Sequence, residues 1–343
     1  MHETRARRRG IVPPHMLERL KTHADSGLRR CAETTQALDE GLLAVEPSEA
    51  AALPRRAAGL ERTLYDANHT QRLPGTPMRG EGDAPVADRE VNEGYDDLGA
   101  TYRFYADVFD RDSIDDAGMP LDGSVHYGRD YMNAFWNGRE MVFGDGDGRI
   151  FKPFTRSLNV VAHELTHGVT GATIDLVYEG QSGALNESIS DVFGAMTEQY
   201  ANDETAAQAS WLIGAELLTE AVQGRALRDM AQPGTAYDDD QLGQDPQPAD
   251  MAHYVDTRQD NGGVHINSGI PNRAFYLAAT ALSGHSWVVA GHIWYAALTD
   301  SRLARDTDFA GFAAVTTALA EERFDSTTRD AVRKAWQAVG VDV

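Results

Sequence analysis

The spacing of apolar positions divides the chain into three stretches. From Pro13 to Leu43 apolar residues return at helical intervals. Met16, Leu17 and Leu20 follow a Pro-Pro start, Asp25-Ser26-Gly27 interrupts the pattern, and a second helical run extends from Cys31 to Leu43. Residues 44–59 are rich in Pro, Ala and charge, carry no apolar stripe, and read as a linker. Over residues 60–155 the period shortens. Turn signals such as Leu73-Pro74-Gly75, Asn137-Gly138 and the glycine–aspartate run from Gly144 to Gly148 are dense. The short runs between them, Ser124 to Tyr127 and Glu140 to Phe143, favour strands, with one helix expected over Asn92 to Val108. From Asn159 onward helical spacing dominates, with helices expected over 159–171, 185–200, 208–223, 267–283, 286–298, 308–322 and 326–338. The acidic stretch from Tyr237 to Asp250 reads as a solvated loop. The expected fold is therefore α+β: a helical segment over 1–50, a strand-rich lobe over 51–178 and a helical lobe over 179–343.

Charge and composition narrow the partners. The net charge of −22 argues against nucleic acid. It is unevenly spread, because the first 30 residues hold 8 Lys/Arg against 3 Asp/Glu, so a basic head precedes an acidic body. The single cysteine, Cys31, excludes an intrachain disulfide. No apolar run approaches the roughly 18 residues of a membrane span. The basic start is not followed by an apolar stretch, so a conventional secretion signal is not expected.

One short stretch changes the picture. His163-Glu164-Leu165-Thr166-His167 places two histidines one helical turn apart. Two imidazoles on one face can aim at a single tetrahedral metal ion. Glu164 lies round the helix from His163, poorly placed as a ligand but able to take a proton from a water on the metal's open side. Catalytic zinc keeps three protein ligands. The run from Gly183 to Gly194 supplies Glu187 as the third, and Asp191, four residues later on the same face, suits the spare ring N–H of a ligating histidine. An ordinary amphipathic helix is the alternative. Two carboxylates on the buried face of an otherwise apolar helix would, however, be costly without a cation beside them.

These motifs in this order resemble the thermolysin family of zinc metalloendopeptidases. His163-Glu-Leu-Thr-His167 is followed by Asn186-Glu-Ser-Ile-Ser-Asp191. Arg62 to Ala67, Leu73-Pro-Gly75, Asn133 to Gly138, Phe143 to Gly148, Asp260 to Gly269 and Ala335 to Gly340 also match, so the similarity runs through most of residues 60–343. The short first segment, with Ile11-Val-Pro-Pro-His-Met-Leu17, resembles the compact propeptide of the protealysin branch. The resemblance implies a two-lobed zincin with Zn²⁺ on His163, His167 and Glu187, and with Glu164 activating a zinc-held water. It implies that His265 and Tyr178 support the oxyanion and that Asp260 orients His265. Arg228 would bind the substrate carbonyl just past the cut, and Asn133 and the backbone of Ala134 would hold the substrate strand. The residue after the cut would enter an apolar pocket of Phe151, Phe154, Val160, Ile213 and Leu227, which the bulk of Phe154 shortens.

The family's double calcium site is expected to be missing, because the positions aligned to its carboxylates read Asn159, Ser210, Leu212 and Ala215, with only Glu198 kept. A single calcium in the acidic loop at 238–250 stays open. The resemblance also implies secretion, against a cytoplasmic alternative. Residues 1–50 are expected to inhibit the enzyme and to be removed by it, with cuts before Leu42, Leu43, Val45 or Leu53. Two rivals remain at this point. A zinc aminopeptidase would carry a carboxylate array for the free amine, which the sequence does not announce. An inert zinc-stabilised binding protein would have no use for Glu164, His265 and Tyr178 together.

Overall fold

The computed structural model describes residues 10–44 and 59–343. The first nine residues, with half of the basic side chains of the head, and the linker with its expected cut sites at Val45 and Leu53 lie outside the described residues. The chain opens with α1 (Pro14–Lys21), started by a proline in the first turn, and α2 (Ser26–Ala44). The strand-rich lobe follows: β1 (Arg62–Asp66), β2 (Thr76–Gly80), α3 (Arg89–Phe109), β3 (Leu121–Val125), β4 (Ala134–Trp136) and β5 (Glu140–Phe143). The strands form one five-stranded sheet in the order β2-β1-β3-β5-β4. The β1–β3 and β3–β5 pairs are parallel, and the outer pairs are antiparallel. This leaves β4 as a short edge strand whose outer backbone groups find partners outside the sheet, Ala134 O in the Ile11 N–H and Trp136 N–H in Glu164 Oε2. Helix α3 covers the sheet; the Asp88 side chain caps it by accepting from Val91 N at 3.2 Å.

Two helices cross between the lobes. α4 (Leu158–Ala172) is buried at every position from Asn159 to Thr170, and α5 (Gly180–Asn202) is buried along most of its length. Neither is amphipathic, because each is wrapped on all sides. Glycine sets how closely they pack: a Cβ on Gly194 of α5 would fall 2.4 Å from Asn159 O of α4. Beyond them come β6 (Leu212–Ile213), β7 (Arg228–Asp229), β8 (Asp238–Asp239) and β9 (Gly243–Gln244), then α6 (Asp260–Asn267), α7 (Gly269–Leu282), α8 (His292–Ala297), α9 (Phe309–Arg323) and α10 (Ser326–Ala338). Trp294 of α8 stacks on Trp336 of α10 at 6.0 Å, and the Trp336 indole N–H donates to Thr316 Oγ1 of α9. One apolar cluster runs through both lobes and takes in Ile11, Val12, Met16, Leu17, Leu20, Leu28 and Ala32 of the first segment. Among the described residues no helix is long and apolar enough to cross a membrane.

Two expectations fail. The helix over 208–223 is absent: the chain there forms β6 and a series of turns. Trp211 and Gly214 take left-handed φ values of 57° and 69°, which no right-handed helix tolerates. Asn159 fixes the turn from a distance, donating to Leu212 O at 3.1 Å and accepting from Gly214 N at 2.9 Å. The acidic stretch from Tyr237 to Asp250 is not simply solvated either. Asp239 and Asp245 are buried and hold the loop by accepting backbone N–H groups, Asp239 from Gln223, Gln241 and Leu242, and Asp245 from Gly234, Ala236 and Gln247.

The contact between α4 and α5 should be intolerant of added volume. Gly194→Ala is expected to destabilise the protein by about 1–3 kcal/mol through overpacking. Denaturant unfolding measures this, and an unchanged midpoint would show that the helices have room to part.

Candidate active site

α4 and α5 bring the metal-type side chains together. His163 and His167 project from one face of α4, their ring centroids 4.8 Å apart. Glu187 of α5 faces both: its carboxylate oxygens lie 3.5 Å from His163 Nε2 and 3.5 Å from His167 Nε2. All three side chains are buried. The far ring nitrogens are spoken for. His163 Nδ1 meets Asp191 Oδ1 at 2.8 Å, and His167 Nδ1 meets Asn186 Oδ1 at 2.8 Å and Ser190 Oγ at 3.0 Å. An acceptor at Nδ1 places the proton there and leaves the lone pair on Nε2, aimed at the common centre.

This donor set fits zinc. Bonds of about 2.0–2.1 Å at tetrahedral angles put neighbouring ligand atoms about 3.4 Å apart, close to the spacings found. His163 Nε2 and Glu187 Oε2 are buried without a hydrogen-bond partner among the described residues. Such orphaned atoms are costly unless a cation completes them. His163, Glu164 and His167 also form one of three groups of metal-type side chains within 4.8 Å among the described residues. The other two share His126, whose ring nitrogens are already taken by Asp145 at 2.8 Å and Asp88 at 3.0 Å. The hydrogen bond to Asp145 leads in raising its pKa to about 9, and its ring is held between two carboxylates.

The remaining predicted side chains surround that centre. Glu164 sits beside it, with Oε2 accepting from Trp136 N of β4 at 3.1 Å and Oε1 unpartnered among the described residues. Burial pushes its carboxyl up to about 7, against the opposing pull of His163. Tyr178 OH donates to Glu187 Oε1 and lies 3.4 Å from His265 Nε2. Asp260 grips His265 twice, accepting from its backbone N–H at 2.9 Å and meeting its Nδ1 at 2.7 Å. The run Asp260-Asn261-Gly262-Gly263 makes this reach possible. All four residues have positive φ, from 50° to 83°, and they are the residue types that visit the left-handed region most cheaply.

Arg228 of β7 is fully enclosed. Its Nε and Nη2 donate to the two oxygens of Asp191, each at 2.7 Å. Its remaining nitrogen Nη1 donates to Ile11 O at 3.2 Å. Ile11 N–H in turn donates to Ala134 O at 3.1 Å, and Val12 N–H to Asn133 Oδ1 at 2.9 Å. The first segment thus meets the outer edge of β4 through one backbone hydrogen bond, with Asn133 and Arg228 holding it on either side. Further along it, Asp39 accepts from Asn133 Nδ2 at 3.1 Å and from Tyr131 OH at 2.5 Å, and Thr35 Oγ1 accepts from Met132 N at 3.0 Å. Phe151, Phe154, Val160, Ile213 and Leu227 are buried in the same apolar cluster as Ile11. Of the positions aligned to the calcium carboxylates, Asn159 donates its amide to Glu198 Oε2 at 2.9 Å.

Several partners were not found from sequence. Asn186 and Ser190, four apart on the glutamate helix, could have been read as the holders of His167, as Asp191 was read for His163. Trp136 N acts through its backbone, which no side-chain pattern announces. Asn272 of α7 donates to Asp191 Oδ2 at 2.8 Å from 81 residues away, and nothing local to it signals that contact.

Known proteins place this geometry. Residues 61–171 match the family described as "Thermolysin metallopeptidase, catalytic domain", and residues 174–341 match "Thermolysin metallopeptidase, alpha-helical domain". The chain is 52% identical over 338 residues to the "Extracellular metalloprotease" of Pectobacterium carotovorum subsp. carotovorum, covering 97% of this chain and 96% of that one. It is 44% identical to "Protease PrtS" of Photorhabdus sp. (strain Az29), over 98% of this chain and 92% of that one. The solved precursor of protealysin, a metalloproteinase from Serratia proteamaculans, superposes with a TM-score of 0.91 at 51% identity, over 97% of this chain and all of that one. The matches span both lobes and the helices that carry the buried histidine–carboxylate centre, and the chain belongs to the thermolysin family of metallopeptidases, hydrolases of peptide bonds.

Proposed function

We propose that the protein is a zinc endopeptidase that cuts on the amino side of apolar residues and carries its first fifty residues as an inhibitory prosegment, ahead of lobes over 51–178 and 179–343. The observation that carries the reading is the convergence of His163 Nε2, His167 Nε2 and Glu187 on one buried point, with Glu164 beside them. A zinc ion held by those three residues supplies Lewis acidity toward a water and the peptide carbonyl. Glu164 takes the proton from that water and passes it to the leaving amine, and its raised pKa suits both halves of the task. His265 Nε2, oriented by Asp260, and Tyr178 OH donate to the oxyanion. Arg228 grips the carbonyl just past the cut, while Asn133 and Ala134 hold the strand. The five apolar side chains favour Leu, Ile, Phe or Val after the cut, by about 1.5–3 kcal/mol per buried side chain.

The docked first segment supports the inhibitory part. Ile11 and Val12 already occupy Ala134, Asn133 and Arg228, so a substrate cannot use them at the same time. Export is proposed from the extracellular metalloprotease to which the chain is similar. We also propose that the double calcium site is absent, since an amide N–H from Asn159 points at the one retained carboxylate, Glu198, where a cation would have to bind.

Glu164→Gln tests the central reading. It should keep stoichiometric zinc and lose hydrolysis of an unfolded protein substrate by at least about 100-fold. Its N-terminus should stay at Met1 or His2, while wild type begins between residues 42 and 60; near wild-type turnover in the zinc-loaded variant would sink the mechanism. A calcium-selective chelator should leave the melting temperature of wild type unchanged, and a clear fall would show a structural calcium ion.

A further inference from the structure

A peptide strand lying across a protease's own cleft should be cut, and the geometry at its first described residue accounts for how it escapes. We propose that Gly10 keeps the docked prosegment an inhibitor and not a substrate, by letting the chain approach the cut position along a path that no residue with a side chain can follow. This deepens the prosegment reading above and rests on it.

After the cut position the prosegment matches a substrate. Arg228 grips the Ile11 carbonyl, Ala134 O receives the Ile11 N–H, and Asn133 Oδ1 receives the Val12 N–H. If Arg228 marks the carbonyl just past the cut, Ile11 stands in the position after the cut. The Gly10–Ile11 bond is then the one in register for hydrolysis. Before that bond the match ends. A Cβ built on Gly10 would lie 2.1 Å from Ala134 O and 2.7 Å from Asn133 Oδ1. These are the same two oxygens that hold Ile11 and Val12, and neither can retreat. Ala134 pairs with Phe143 in the sheet, and Asn133 is anchored through Nδ2 to Asp39 and through Oδ1 to the N–H of Ala134. An ordinary substrate, with an L side chain before the cut, must therefore turn its peptide unit away from the Gly10 path while keeping the same grip beyond it. The prosegment fills the groups that a substrate needs but presents its in-register bond from a different direction, so that bond stays whole.

The test uses the full chain. In the Glu164→Gln background, amide hydrogen exchange is followed over residues 11–17, with and without Gly10→Ala. Gly41→Ala is the control, since a Cβ on Gly41 meets nothing within 4 Å. Gly10→Ala should lower protection over 11–17 by roughly tenfold or more, the scale of an overpacked backbone contact, while Gly41→Ala leaves it unchanged. In the active chain Gly10→Ala should shorten the lag before peptide hydrolysis begins, and wild type should show no cut between Gly10 and Ile11 by intact mass. Protection within twofold of the parent after Gly10→Ala, or a wild-type cut at Gly10–Ile11 that precedes release of the prosegment, overturns the proposal. Absence of any protection over 11–17 in the Glu164→Gln parent would instead overturn the prosegment reading itself.

Discussion

Asp191 holds the site together. Its carboxylate has no solvent exposure, a state that costs several kcal/mol unless every lone pair is used. Here it meets His163 Nδ1 at 2.8 Å and accepts twice from Arg228 at 2.7 Å and once from Asn272 at 2.8 Å. Burial works against the charge, but Arg228 and His163 hold the carboxyl well below the usual range. One side chain of α5 thereby fixes the tautomer of a proposed metal ligand on α4, the aim of Arg228 on β7, and the docking of α7. The close packing of α4 on α5, which Gly194 permits, is what brings the carboxylate within reach.

The same geometry shapes the cleft. β4 is an edge strand whose outer Ala134 carbonyl, with the neighbouring Asn133 side chain, receives Ile11 and Val12 of the first segment. Trp136, at the other end of that strand, holds Glu164. The proposed substrate alignment and proton transfer are thus both tied to a single three-residue strand. The prosegment exploits this with backbone hydrogen bonds and buried apolar side chains. Among the described residues, Asp25 of this segment pairs with Arg149 of the body at 3.1 Å, the opposite polarity to a basic head on an acidic body, while Arg19 donates to Asp240 O at 3.4 Å.

Much of this was legible in the sequence because it rests on local spacing. Histidines four apart and a carboxylate pair four apart each have a geometric consequence within one or two turns of chain, whereas Asp260 and His265 came from the family resemblance. The strand at Glu140 to Phe143 and the helix ending at Ala338 were read for the same reason. What was not legible depends on distant partners. Positions 208–223 have helical spacing, yet Asn159, on another helix, fixes a left-handed turn there. Asp239 and Asp245 look like solvated acids until the backbone N–H groups they serve are folded around them. The role of Gly10 is invisible without the oxygens of Asn133 and Ala134 beside it.

The dependence of the site on Asp191 is open to direct measurement. Asp191→Asn preserves the volume and removes the charge. It leaves all three proposed zinc ligands in place, but it leaves the Arg228 guanidinium buried without its counter-ion. Zinc affinity of the full chain, measured by competition with a chelator, should fall by about 10–100-fold. Stability should fall with it, by about 3–5 kcal/mol. Zinc affinity and unfolding midpoint both equal to wild type would contradict the account.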